Sequence, residues 1–210
     1  MNRVRYAVNL CACLLVFIAT STWAESEQAE VTPGEVIGSV TTSLLTLAKE
    51  TKAEGSDEAY FSELRKLLEP VIDFESIAKK VMGKKSWLAV DEQEQQRFVD
   101  TFTDSLVSTY GKAMLSFADL DVQVAKTWPS NNPKSKGHFV QQDVKLESGL
   151  AHIVYSMQPS DSGWKVSNVV IRDAKGYKLN MGKTFYSQFQ HALSENENNV
   201  SATIDAWAKG

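Results

Sequence analysis

The stretch Phe117-Ala118-Asp119-Leu120-Asp121-Val122-Gln123-Val124 marks a change of rhythm in the chain. Before it, Phe98, Phe102, Leu106, Tyr110, Met114 and Phe117 recur every three or four residues, the spacing that lines one face of an α-helix. After it, Leu120, Val122 and Val124 alternate with polar residues, the period of a half-buried strand. Asp91 with Glu94 resembles a capping box that starts the long helix. Further upstream, Thr32-Pro33 reads as the N-cap and first residue of an opening helix that carries Val36, Val40, Leu44 and Leu47 and ends near Lys52. A break at Gly55 precedes a second helix with Tyr60, Phe61, Leu64, Leu67 and Leu68, which stops before Pro70. A short third helix with Phe74, Ile77, Ala78, Val81 and Met82 closes at Gly83.

Downstream, a loop over Trp128–Gly137 leads to a strand over residues 138–146. Glu147-Ser148-Gly149 turns it into a strand over 150–157, and Pro159–Gly163 joins that to another over 164–171. Such short connections make neighbouring strands antiparallel. The chain ends in a helix with Phe185, Phe189 and Leu193 and a last one with Val200, Ile204 and Trp207. The expected class is α+β, with N-terminal helices packed on a twisted antiparallel sheet of about four strands and helices at the C-terminus.

The first residues read differently. Arg3 and Arg5 precede an apolar run from Ala7 to Ala19, and Thr22-Trp23-Ala24 ends in a small residue. This is the pattern of a cleavable signal peptide over residues 1–24, leaving a single domain over 25–210 and a soluble, exported protein. The run is short of the roughly 20 residues that span a bilayer, so an uncleaved anchor is the weaker alternative. Cys11 and Cys13 precede the end of the run, which disfavours a lipoprotein reading, and they leave with the leader. The mature chain then has no thiol and no disulfide. It carries 20 basic against 26 acidic residues, a net charge of −6 that argues against nucleic acid as a partner.

Catalytic patterns are sparse. His138, His152 and His191 lack ligand-like spacing, and neither HExxH nor GxSxG occurs. Gly182-Lys183-Thr184 looks like the tail of a phosphate loop, but Gly176 stands one residue too far upstream. Asp91, Glu92 and Glu94 are explained by a helix dipole, and the sequon Asn199-Val200-Ser201 is a short, common match. Lys79, Lys80, Lys84 and Lys85 flank Gly83. They read either as a solvated helix end or as a contact for anionic headgroups or an acidic partner surface.

The segment from Pro70 to Gly83, followed by Trp87, resembles the MlaC or toluene-tolerance family of periplasmic phospholipid-binding proteins. Gln96-Arg97-Phe98, Tyr110-Gly111-Lys112-Ala113-Met114, Gly163-Trp164-Lys165-Val166, Asn168-Val169-Val170-Ile171 and Ser187-Gln188-Phe189 continue the resemblance in order. Arg172–Gly176 looks inserted, and Tyr186 stands where an arginine is common. The resemblance implies an apolar cavity between helices and sheet, phospholipid as cargo, no cofactor and no catalysis. It also implies shuttling between an outer-membrane lipoprotein–porin complex and an inner-membrane ABC transporter complex with a lipid-binding domain, in maintenance of outer-membrane lipid asymmetry. A monomer is expected. The residues expected to line the cavity are Val81, Phe102, Leu106, Tyr110, Met114, Phe185 and Phe189 from helices and Val144, Ile153, Tyr155 and Val170 from strands. An enzyme of similar architecture and a chaperone or adaptor for lipoproteins are the competing readings.

Overall fold

Local capping chemistry sets where the helices begin. The computed structural model describes residues 31–54 and 58–209. Helix α1 (Pro33–Glu54) opens on a reciprocal pair: the Glu35 carboxylate accepts from the Thr32 N–H at 2.8 Å, and Thr32 Oγ1 accepts from the Glu35 N–H at 3.3 Å. Helices α2 (Glu58–Leu68) and α3 (Phe74–Met82) come after it, and Asp73 caps α3. Gly83 ends α3 at φ 80°, a conformation that favours glycine. A five-residue helix, α4 (Lys84–Leu88), comes next and was not legible in the sequence. The long α5 (Glu92–Ser116) starts at Asp91, whose side chain accepts from the Glu94 N–H at 2.9 Å.

Among the described residues the sheet has five strands: β1 (Val122–Pro129), β2 (His138–Leu146), β3 (Gly149–Ser160), β4 (Gly163–Arg172) and the short β5 (Lys178–Asn180). They pair antiparallel in sequence order, β1-β2-β3-β4-β5. Helices α6 (Met181–Glu195) and α7 (Val200–Ala208) complete the α+β architecture. Other details also differ from expectation: Pro159, Ser160 and Gly163, expected in a connection, pair within β3 and β4. Trp128 and Pro129 belong to β1, because Trp128 stacks at 5.6 Å on its cross-strand partner Phe139. Pro129 is tolerated at the end of an edge strand, where no ladder bond is lost. The fifth strand is too short and polar to show a period of its own. The leader over 1–24 and the break at Gly55 lie outside the described residues.

Two irregularities shape the interior. The link from α2 to α3 is tied to the sheet: Val166 N–H donates to the Val71 carbonyl at 2.7 Å, and Asp73 N–H to the Val166 carbonyl at 3.0 Å. In β4, Met157 faces Val166 while Ser156 faces Asn168, so Ser167 is an extra residue, a β-bulge.

Among the described residues, most of the buried apolar side chains fall into three clusters. The first, around Val81, Met82, Trp87, Phe98, Phe102, Phe189 and Ile204, joins α3, α4, α5, α6 and α7. The second, around Ile37, Val140, Met157 and Val166, joins α1 to the sheet. The third, around Tyr60, Leu64 and Val107, joins α2 to α5. Gly111 allows the last contact, since a Cβ there would sit 2.6 Å from Leu64 Cδ2 and 3.1 Å from the Phe61 ring. Gly111→Val is therefore expected to lower stability by about 1–3 kcal/mol through overpacking, read as a lower urea midpoint.

Candidate functional site

The three clusters do not merge. Between them lies a cavity of about 290 Å³. Ile77, Leu106 and Phe185 face it from the first cluster, Ile72, Tyr155, Val166 and Val169 from the second, and Leu44, Leu64 and Leu68 from the third. Phe74, Gly111, Met114, Ile153, Asn168, Ile171, Met181 and Gly182 complete the wall. Tyr110, 42% exposed, is the one exposed residue of this wall and marks the mouth. Its ring meets Phe185 edge-on at 6.2 Å. Fourteen of these residues are Leu, Ile, Val, Met or Phe, two are glycines, and the polar ones are Tyr110, Tyr155 and Asn168.

Each polar group has a defined state. The Tyr155 hydroxyl donates to Gln142 Oε1 at 2.8 Å, and Gln142 Nε2 donates to Thr41 Oγ1 at 2.8 Å. Gln142 is 2% exposed. Asn168 Oδ1 accepts from the Gly182 N–H at 3.0 Å, and Asn180 Oδ1 from the Lys183 N–H at 3.1 Å. The start of α6 is thereby capped by side chains, and these N–H groups do not present an open anion site. Burial pushes both phenols, Tyr110 and Tyr155, above the usual tyrosine value. They stay neutral at physiological pH, and the wall contains no carboxylate, imidazole or amine. The arrangement covers apolar surface.

The family model for MlaC protein matches residues 39–209. The chain belongs to the MlaC family. Toluene tolerance protein ttg2D of Pseudomonas putida is 31% identical over 183 residues, covering 86% of this chain and 81% of the relative. A phospholipid-binding protein from Ralstonia solanacearum, solved in complex with a phospholipid, superposes with a TM-score of 0.67 at 19% identity. That match covers 86% of this chain and 98% of the other, so this MlaC member shares its fold.

In this MlaC chain, Leu106, Tyr110, Met114, Ile153, Tyr155 and Phe185 stand in the cavity wall. Five expected wall residues lie elsewhere. Val81, Phe102 and Phe189 are fully buried in the first cluster, which joins α3 and α5 to α6 and α7; Phe102 meets Phe185 at 5.5 Å and Trp207 at 6.2 Å. Val144 is buried on the inner face of β2 opposite Ala151, one inward pair beyond the wall residue Ile153. Val170 faces away: the bulge at Ser167 shifts the alternation, so Val169 and Ile171 point inward with their partners Tyr155 and Ile153. Sequence reading also missed Leu44, Leu64, Leu68, Ile72 and Val166, of which Leu44, Leu64 and Leu68 carried a signal in their four-residue spacing.

Lys79, Lys80 and Lys84, with Ser76, Gly83, Trp87, Leu88 and Tyr186, line a separate groove of about 630 Å³, and Lys85 is not part of that lining. Lys79 Nζ sits 5.7 Å over the Trp87 ring. The groove is the larger hollow, but Leu88 is 70% and Tyr186 45% exposed, so its walls stand in water. Apolar tails gain less there than in the cavity. The histidines are dispersed: His138 packs on Trp164, His152 pairs with Asp143, and His191 with Glu195. No His, Cys, Asp or Glu cluster suited to a metal occurs among the described residues.

Proposed function

We propose that this protein is a non-catalytic periplasmic carrier that holds the acyl chains of a phospholipid in the cavity between its three core clusters. The observation that carries this reading is the wall itself: apolar, lined from both layers, with a mouth at Tyr110 and only neutral polar groups. Further support comes from the Ralstonia protein of the same fold, which binds a phospholipid. A two-tailed lipid exposes on the order of 30 methylenes, each worth roughly 0.8 kcal/mol when buried, so passage through water is slow without a cover. A wall that receives tails of varied length and bend must adjust to them. Met114 and Met181 at the wall suit such adjustment.

In the same proposal the leader is removed after Ala24, leaving one domain over residues 25–210. The carrier moves lipid between the outer and inner membranes in maintenance of lipid asymmetry. Its docking partners are an outer-membrane lipoprotein–porin complex and an inner-membrane ABC transporter complex with a lipid-binding domain. Lys79, Lys80, Lys84 and Lys85 are assigned to contact with acidic partner surfaces or anionic headgroups.

Native mass spectrometry of the purified protein tests the cargo. Masses of bound two-chain phospholipids are expected, and a ligand-free protein under gentle extraction overturns the reading. Two neighbouring substitutions sharpen the test. Val169→Asp places a carboxylate in the wall and is expected to reduce bound lipid by at least about tenfold. Val170→Asp, on the opposite face, is expected to keep its load. Equal loads in the two folded variants count against the cavity as the lipid site.

A further inference from the structure

Tyr155 occupies an unusual place in an oily wall. Its ring faces the cavity and also packs on the second cluster, whose members Ile37, Val140 and Met157 are 1% exposed or less. Its hydroxyl is held at 2.8 Å by Gln142, a glutamine buried to 2% exposure, and Gln142 is held in turn at 2.8 Å by Thr41 of α1. A leucine or phenylalanine would cover the same apolar area with no polar group to satisfy. Burying Tyr and Gln together is tolerated only because the chain of bonds is complete. What the bonds add is fixed geometry: the ring is anchored at the backbone of β3 and, through Gln142, to β2 and α1. The methionines of the wall can yield to a ligand, whereas a ring anchored at each end cannot. The exposed Tyr110 marks the mouth, and Tyr155 stands where the wall is backed by the α1–sheet core.

We infer that Tyr155 is the stop of the cavity and sets the longest acyl chain that is fully covered. This role rests on the carrier reading and adds a chain-length selectivity to it.

The test loads delipidated full-length protein from vesicles made of an equimolar mixture of phosphatidylglycerols of graded acyl length, and counts bound species by native mass spectrometry. With wild-type protein the bound distribution is expected to fall off beyond a limiting length. Tyr155→Val opens the space in front of Gln142, and its distribution is expected to move to longer chains. For each methylene newly covered, the variant-to-wild-type ratio of bound long chain should rise about fourfold. Should Tyr155→Val fail to fold, Tyr155→Phe takes its place. It keeps the ring and loses the anchor, so a longer tail to the distribution is expected. A wild-type distribution in the folded variant overturns the assignment of Tyr155 while leaving the carrier intact. Absence of any bound lipid on the wild-type protein overturns the carrier reading itself, and Tyr155 with it.

Discussion

Exchanging Leu106 for aspartate is expected to strip phospholipid from the purified protein while its far-ultraviolet circular dichroism stays at the wild-type level. Leu106 lies half-buried in the middle of the wall on α5, between Phe102 in the closed core and Tyr110 at the mouth. With tails in place, a carboxylate there is surrounded by methylenes and has no basic side chain in the wall to pair with. An unpaired charge in such surroundings costs several kcal/mol, and about 4 kcal/mol is a thousandfold loss of affinity. Without tails, the cavity of 290 Å³ has room for water beside the carboxylate, so the penalty falls on the complex and not on the fold. Leu106→Asn should lose less, about 1–3 kcal/mol, because the amide is neutral. Tyr110→Asp should also lose less, because a side chain 42% exposed keeps its charge in water. Lipid-to-protein ratios from native mass spectrometry rank the three variants. A folded Leu106→Asp protein with a full load would sink the assignment of this wall to acyl chains.

Counting along a helix put Leu106 on an apolar face, and the family resemblance, not the spacing, turned that face towards a cavity. The shift from a period of 3.6 to a period of 2 at Leu120, the caps at Thr32 and Asp91, and the glycine stop at Gly83 are local signals, and each element they mark is present. The apolar stripe of α5 is equally local, yet its residues have three destinations. Phe98 and Phe102 are sealed under Phe189 and Trp207, Leu106 to Met114 face the cavity, and Phe117 is exposed. A helix's own spacing states that a face is apolar but not which neighbour covers each turn. Coverage is decided by α6 and α7, some 80–110 residues away in sequence. The strands fail in a different way. Counting by two from Val166 leads to Val170, and one extra residue at Ser167, with no glycine or proline to announce it, turns Val169 and Ile171 inward instead. Short elements held by tertiary pairing, such as β5 and α4, carry no periodic signal.

The division between sealed core and cavity leads to the opposite kind of variant. Phe98→Ala is expected to cost about 3–5 kcal/mol of stability and to leave the lipid load of each folded molecule unchanged. Phe98 is fully buried and meets Phe189 edge-on at 4.9 Å, Phe102 at 5.9 Å and Trp207 at 6.0 Å. It thus joins α5 to the two C-terminal helices and touches the cavity only through intermediates. Removing the ring forfeits its burial and its aromatic contacts and leaves a hole that three other large rings cannot fill without leaving their own positions. Against a total of about 5–15 kcal/mol for a domain, that loss is large enough to read directly from a urea midpoint. The comparison must use delipidated protein, because a ligand that binds only the folded state raises apparent stability and would mask the difference. Set beside Leu106→Asp, the pair makes a crossed test: one variant stable and empty, the other weakened and loaded. A Phe98→Ala protein that is folded but empty would mean that the first cluster is part of the lipid's seat. The wall would then have to be redrawn to include the residues now placed under α7.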